Sequence, residues 1–133
     1  LKINISVPKT KKTYNIEVDD KVRLSFLGKK IKDKVDLSFV DKGLEGVITG
    51  GSDKEGFPML SSLEHEGTKK VFITNGVGFK AKRKGQKTRK RVAGKIVTEN
   101  TQQINIKLTT GEDKILEEKY AKKEEDKKKE ESK

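Results

Sequence analysis

Residues 2–18 read KINISVPKTKKTYNIEV. Ile3, Ile5 and Val7 alternate with polar residues, and so do Tyr14, Ile16 and Val18. Successive side chains of a strand point to opposite faces, so a period of two predicts one buried face per run. Pro8 and a Lys/Thr cluster separate the two runs. The stretch therefore predicts a β-hairpin, and the chain starts as a β protein.

Asp19 and Asp20 then offer an N-cap for a short helix carrying Val22, Leu24, Phe26 and Leu27 and closing at Gly28. Val22, Leu24 and Phe26 also alternate, which leaves a strand as the competing reading. Residues 37–40, 44–49, 69–74, 92–98 and 103–108 read as further strands, most of them separated by glycine-bearing turns. Short strands with one helical break predict a mostly β fold, a small antiparallel β-barrel. No internal repeat is visible.

Character changes after Gly111. Residues 112–133 hold 9 acids and 8 bases with no glycine or proline. Glu118–Lys122, Glu124–Lys128 and Glu125–Lys129 are i,i+4 pairs in the favourable order. Ile115, Leu116 and Tyr120 make a small apolar patch near the start. The expected organisation is a basic β-barrel domain over 1–111 and a charged C-terminal helix or tail over 112–133. The helix docks by its first turns, and its end is left for solvent or a partner.

Only 30% of the 133 residues are apolar and 40% are charged, so the core is thin. Lys and Arg number 32 against 21 acids, for a net charge of +11. Residues 1–111 carry 24 of those bases and 12 of the acids, so the positive charge belongs to the body. A basic body points to a polyanion, nucleic acid first and an anionic membrane surface second. No apolar run approaches the length of a membrane span, and none reads as a secretory signal.

Catalytic constellations are missing. Cysteine is absent and His65 is the only histidine, so the chain offers no zinc set. Asp33, Asp36 and Asp41 have the spacing of turn acids, without the ligand alternation of a calcium loop. Gly76-Val77-Gly78 lacks a following helix pattern, and the glycines around Lys54 do not make a phosphate loop. The expectation is a protein that is not an enzyme and needs no cofactor, metal or small-molecule substrate.

Two segments carry the functional signal. Residues 76–91, GVGFKAKRKGQKTRKR, hold Lys80, Lys82, Arg83, Lys84, Lys87, Arg89, Lys90 and Arg91 and no acid. They bridge two expected strands as a long loop or extended hairpin tip, and loops of that length are usually functional. Such a run repels itself in water, and a nucleic-acid backbone relieves that repulsion while releasing counterions. Phe79 is available to stack on a base or to pack beneath the loop. Three glycines argue against a basic amphipathic membrane helix.

Residues 49–60, TGGSDKEGFPML, are the second segment. Gly50, Gly51 and Gly56 supply unusual conformations or a close backbone approach. Phe57, Pro58 and Met59 are placed to anchor the stretch to the body. Asp53 is expected to cap or pair within the protein, since a carboxylate is a poor neighbour for phosphate. A turn kept only for folding stays open beside an RNA contact.

Residues 48–59 resemble the signature of the archaeal and eukaryotic small-subunit ribosomal protein family S-six-e (eS-six). That signature runs aliphatic, small, Gly-Gly, any residue, Asp, two residues, Gly, one residue, Pro-Met. Ile48, Thr49, Gly50, Gly51, Asp53, Gly56, Pro58 and Met59 occupy its fixed positions. The basic segment, continuing into VAGKIV, is similar to the family's basic loop, and KINISVP followed by IEVDD is similar to its start. The resemblance covers about residues 2–110 and suggests an archaeal-length member. It implies an RNA-bound barrel in the cytoplasmic small ribosomal subunit, with ribosomal RNA as partner and no catalysis. Neighbouring ribosomal proteins are possible partners through the C-terminal tail. Eukaryotic relatives add a serine-bearing basic helix, whereas Ser132 is the sole serine here after Ser62. The alternatives are a free nucleic-acid-binding protein, chromatin-like or single-strand, and an adaptor acting through its tail. Low aromatic content weakens the single-strand reading.

Overall fold

The computed structural model describes residues 1–110 and Leu116. The opening alternation becomes β1 (Lys2–Val7) and β2 (Lys12–Glu17), antiparallel, with Ile3 opposite Ile16 and Ile5 opposite Tyr14. Then come α1 (Asp20–Phe26), β3 (Lys34–Asp36), β4 (Glu45–Asp53), β5 (Thr68–Ile73), β6 (Thr88–Ala93) and β7 (Thr101–Thr110). The helical reading of residues 20–26 holds. Asp19 is extended at the N-cap, and Gly28 leaves the helix with φ +78. Leu24 stays exposed, while Phe26 is buried with its ring edge-on to Phe39 at 6.0 Å. One buried anchor docks this short helix.

Five strands form one sheet in the order β2-β1-β7-β4-β3, and β5 and β6 form a separate two-stranded sheet. The expected barrel is not formed. The five-stranded sheet stays open, with β2 and β3 as its two edges. Its centre also departs from an antiparallel meander, because β1 runs parallel to β7. Closure is not needed to bury the inner face. Phe26, Ile31, Val40, Leu44, Met59 and Val97 from the helix and connecting segments cover it, together with Leu116. The rest of the charged C-terminal helix expected over 112–133, including Ile115 and Tyr120 of its apolar patch, lies outside the described residues.

Register explains that face. Ile5 sits opposite Ile106, Ile3 opposite Ile104, and Ile48 opposite Ile106. All five isoleucines are at most 1% exposed. Full burial of each such side chain stabilises the fold by roughly 1.5–3 kcal/mol before chain entropy is set against it. On the opposite, wet face Asn15 donates to Asn4, and Asn4 donates to Asn105 at 3.1 Å.

Two expected strands are corrected. Residues 37–40 form a turn, not a strand: the Asp36 carboxylate accepts from the Ser38 N–H and the Val40 N–H donates to the Leu37 carbonyl. Leu37 and Val40 are buried from that turn. The run 92–98 breaks at Gly94, after which Ile96 makes an isolated bridge to Lys30. The Asp33, Asp36 and Asp41 carboxylates all accept backbone N–H bonds from near neighbours, as turn acids do. No helix of the described residues is long and apolar enough to cross a membrane.

Candidate nucleic-acid interface

The glycine-rich stretch is the joint between the two sheets. Thr49 is the extra residue of a bulge in β4, since Ile48 lies opposite Ile106 and Gly50 opposite Asn105. The bulge sets Gly51 opposite Ile104. A Cβ built on Gly51 would overlap the Gln103 carbonyl oxygen and press on Met59 Sδ at 3.1 Å. Gly51 thus clears the slot that buried Met59 fills. Around Gly50 the space is open. Neither residue of the pair has positive φ, so their role is room and not a left-handed conformation.

Past the strand, Asp53–Gly56 makes a tight turn. The Gly56 N–H donates to the Asp53 carbonyl, the Asp53 N–H donates to the Phe57 carbonyl, and Gly56 has φ +88. The Asp53 carboxylate accepts from the Lys54 N–H at 2.6 Å. Asp53 is therefore spent on its own turn. The chain then runs alongside both sheets. Pro58 bridges back to Ser52, and Met59 bridges to Ala93 of β6. The Ala93 N–H donates to the Pro58 carbonyl, and the Leu60 N–H donates to the Ala93 carbonyl. Phe57, Pro58 and Met59 thus tie the two-stranded sheet to the five-stranded one.

A second tie lies nearby. Glu64 Oε1 is 3.0 Å from Lys95 Nζ and 3.2 Å from Lys30 Nζ. The hydrogen bond from Lys95, then that from Lys30, hold the Glu64 carboxyl below the usual carboxylate range.

Of the eight basic residues singled out in the sequence, three lie on a strand instead of a loop. β6 begins at Thr88, so Arg89, Lys90 and Arg91 belong to the two-stranded ribbon. The connection between β5 and β6 is accordingly shorter than the sequence suggests. Lys80, Lys82, Arg83, Lys84 and Lys87 remain in it. It has local order. Gly76 and Phe79 exchange backbone bonds, and the Gln86 side chain accepts from the Lys82 N–H at 3.0 Å. A Cβ on Gly78 would lie 3.1 Å from Pro58, so the loop passes against the joint.

All eight side chains are exposed, and none is in an ion pair within the described residues. Sequence reading missed two further cations. The register sets Lys70 opposite Arg91 and Lys69 opposite Val92, which brings both lysines onto the ribbon. Residues 68–93 then carry ten lysines and arginines and no acid. Arg91 is positioned by the segment beside β6, with its guanidinium carbon 5.9 Å from the Phe57 ring centroid. Phe79, the aromatic available for stacking from sequence, is only partly exposed, whereas Phe72 is 71% exposed. The signal for Lys69, Lys70 and Phe72 was present in KKVFIT, but only strand pairing shows which cations they join. Such a ribbon can hold a phosphate backbone. Among the described residues no group of His, Asp or Glu side chains is arranged to ligate a metal.

Known proteins match this chain over most of its length. The family model described as ribosomal protein S6e matches residues 1–121. A protein of Methanococcoides burtonii is 42% identical over 88% of this chain and 87% of its own. One from Methanoregula boonei is 37% identical over 100% of this chain and 94% of its own. One from Archaeoglobus fulgidus is 35% identical over 93% and 98% respectively. Each of the three carries the name small ribosomal subunit protein eS6. With the signature lodged at the joint and the family model spanning nearly the whole sequence, the chain belongs to the ribosomal protein S6e family.

Proposed function

We propose that the chain is a structural component of the small ribosomal subunit, acts in translation, and binds small-subunit ribosomal RNA through the β5–β6 ribbon and its connecting loop. It is not an enzyme. The observation that carries the RNA contact is the acid-free run of ten cations over residues 68–93, exposed around a ribbon fixed to a rigid sheet. The cations that meet phosphates, about five at once, are drawn from Lys80, Lys82, Arg83, Lys84, Lys87, Arg89, Lys90 and Arg91, with Lys69 and Lys70 beside them. The signature residues Gly50, Gly51, Asp53, Gly56, Pro58 and Met59 hold the ribbon's angle and do not touch RNA themselves. Counterion release supplies the affinity, and the fixed angle between the sheets supplies recognition of RNA shape.

The proposal divides the chain into an RNA-binding body over 1–111 and a tail over 112–133 that meets neighbouring ribosomal proteins. Its place is the ribosome, in the cytoplasm. Sedimentation of a cell extract tests this. The protein is expected to travel with small subunits and to stay with them after a moderate salt wash. Recovery in the free-protein or chromosomal fractions would refute it and favour a free nucleic-acid-binding protein.

A further inference from the structure

Phe72 is the most exposed large apolar side chain among the described residues, at 71%. Its neighbours on β5 behave differently: Ile73 is buried and Val71 is half-buried. The ribbon therefore turns Ile73 and Val71 toward the body and Phe72 outward. Arg89 lies directly opposite Phe72, and the Lys70–Arg91 pair is two residues along on the same face. Directly opposed and diagonal residues on one face of an antiparallel pair lie within reach of long side chains. One ring thus stands among three cations, with Arg91 braced by Phe57 on its far side.

We infer that this face of the ribbon receives one unpaired base of the bound RNA, stacked on Phe72, with Lys70, Arg89 and Arg91 holding the adjacent phosphates. The inference rests on the RNA-binding reading above and adds a subsite to it. A paired A-form helix presents no free base face to such a ring, so the partner is a bulged or looped nucleotide. A nonpolar protein partner does not fit, because docking on Phe72 would strip water from three cations without supplying counter-charge. A nucleotide supplies both needs at once, a π face for the ring and phosphates for the cations. Leu24 and Val77, the other exposed large hydrophobic side chains among the described residues, are aliphatic and offer no ring.

The test uses the full chain and two labelled RNA hairpins, one with a single extruded adenosine and one fully paired. Wild type is expected to bind the bulged hairpin about 10-fold more tightly, within the range of base–aromatic stacking. Phe72→Ala and Phe72→Leu lose that preference while the salt dependence of binding is unchanged. Phe72→Trp retains the preference and introduces the chain's only tryptophan, whose fluorescence is quenched by the bulged hairpin alone. If wild type shows no preference, or if either the Ala or the Leu variant keeps it, the stacking subsite is overturned while RNA binding stands. If wild type shows no salt-dependent binding to either hairpin, the RNA-binding reading falls and the subsite with it.

Discussion

The two sheets of this protein divide its work. The five-stranded sheet buries a continuous isoleucine face and puts a neutral asparagine ladder in water. The β5–β6 ribbon buries little beyond Ile73, Val92 and Ala93 and crowds like charges along its length. An isolated two-stranded sheet is marginal at best in water, and these charges make it worse. The ribbon keeps its shape because the segment through Pro58, Met59 and Leu60 hydrogen-bonds to both sheets. Stability resides in one sheet, the proposed binding surface is the other, and the signature joins them.

The comparison breaks first at the core. Ile106→Ala empties a fully buried position in the central strand and is expected to destabilise the protein by about 4 kcal/mol. Urea unfolding measures it, and the fraction still folded binds RNA with unchanged affinity. A loss of affinity without a loss of stability would show that the two roles are not separate.

The joint comes next. Gly51→Ala places a Cβ against the Gln103 carbonyl and Met59 and is expected to cost about 2 kcal/mol. Gly50→Ala meets open space and stays within about 0.5 kcal/mol. Thermal melting of the two free variants separates them. Equal melting temperatures would mean that the glycine pair is not read by packing.

The smallest effect sits at Glu64. Its folded-state pKa is lowered by Lys95 and Lys30, so the contact contributes fully above the unfolded-state value and is lost as pH falls through the lower folded value. The group is exposed, so the contribution is small. Glu64→Gln is expected to show a slightly shallower fall in melting temperature on acidification than wild type. A steeper fall would contradict the assigned sign.

Much of this division was legible in the sequence, for a physical reason. Strand alternation is local, so Ile3–Val7 and Tyr14–Ile16 announced their pairing directly. Charge is also local, and the run from Lys80 to Arg91 needed no fold to be noticed. Closure is not local. Whether β2 and β3 meet depends on the parallel β1–β7 pairing between residues a hundred positions apart, which no turn signal encodes. Leu37 and Val40 misled because a turn can bury apolar side chains as a strand does. The run 92–98 misled because the space beside Gly94 is taken by the His65 carbonyl, a contact invisible in the chain order. Lys69, Lys70 and Phe72 acquired their meaning only from the register with Arg89 and Arg91. The glycine pair was legible as a place of close approach, but the neighbour turned out to be Gln103 and Met59 of the same chain.

The central claim is that the ribbon holds RNA and the sheet holds the ribbon. Its most direct test is the salt dependence of binding to a small-subunit ribosomal RNA transcript, for wild type and for the variant with Arg83, Lys84, Arg89 and Arg91 replaced by Ala. If about five cations meet phosphates, the wild-type slope of log affinity against log salt is on the order of −4, and the variant's is shallower by about 3. Its urea midpoint stays close to that of wild type, because the lost Arg91–Phe57 contact is set against the relief of like-charge repulsion on an exposed ribbon. An unchanged slope in a folded variant would contradict the account.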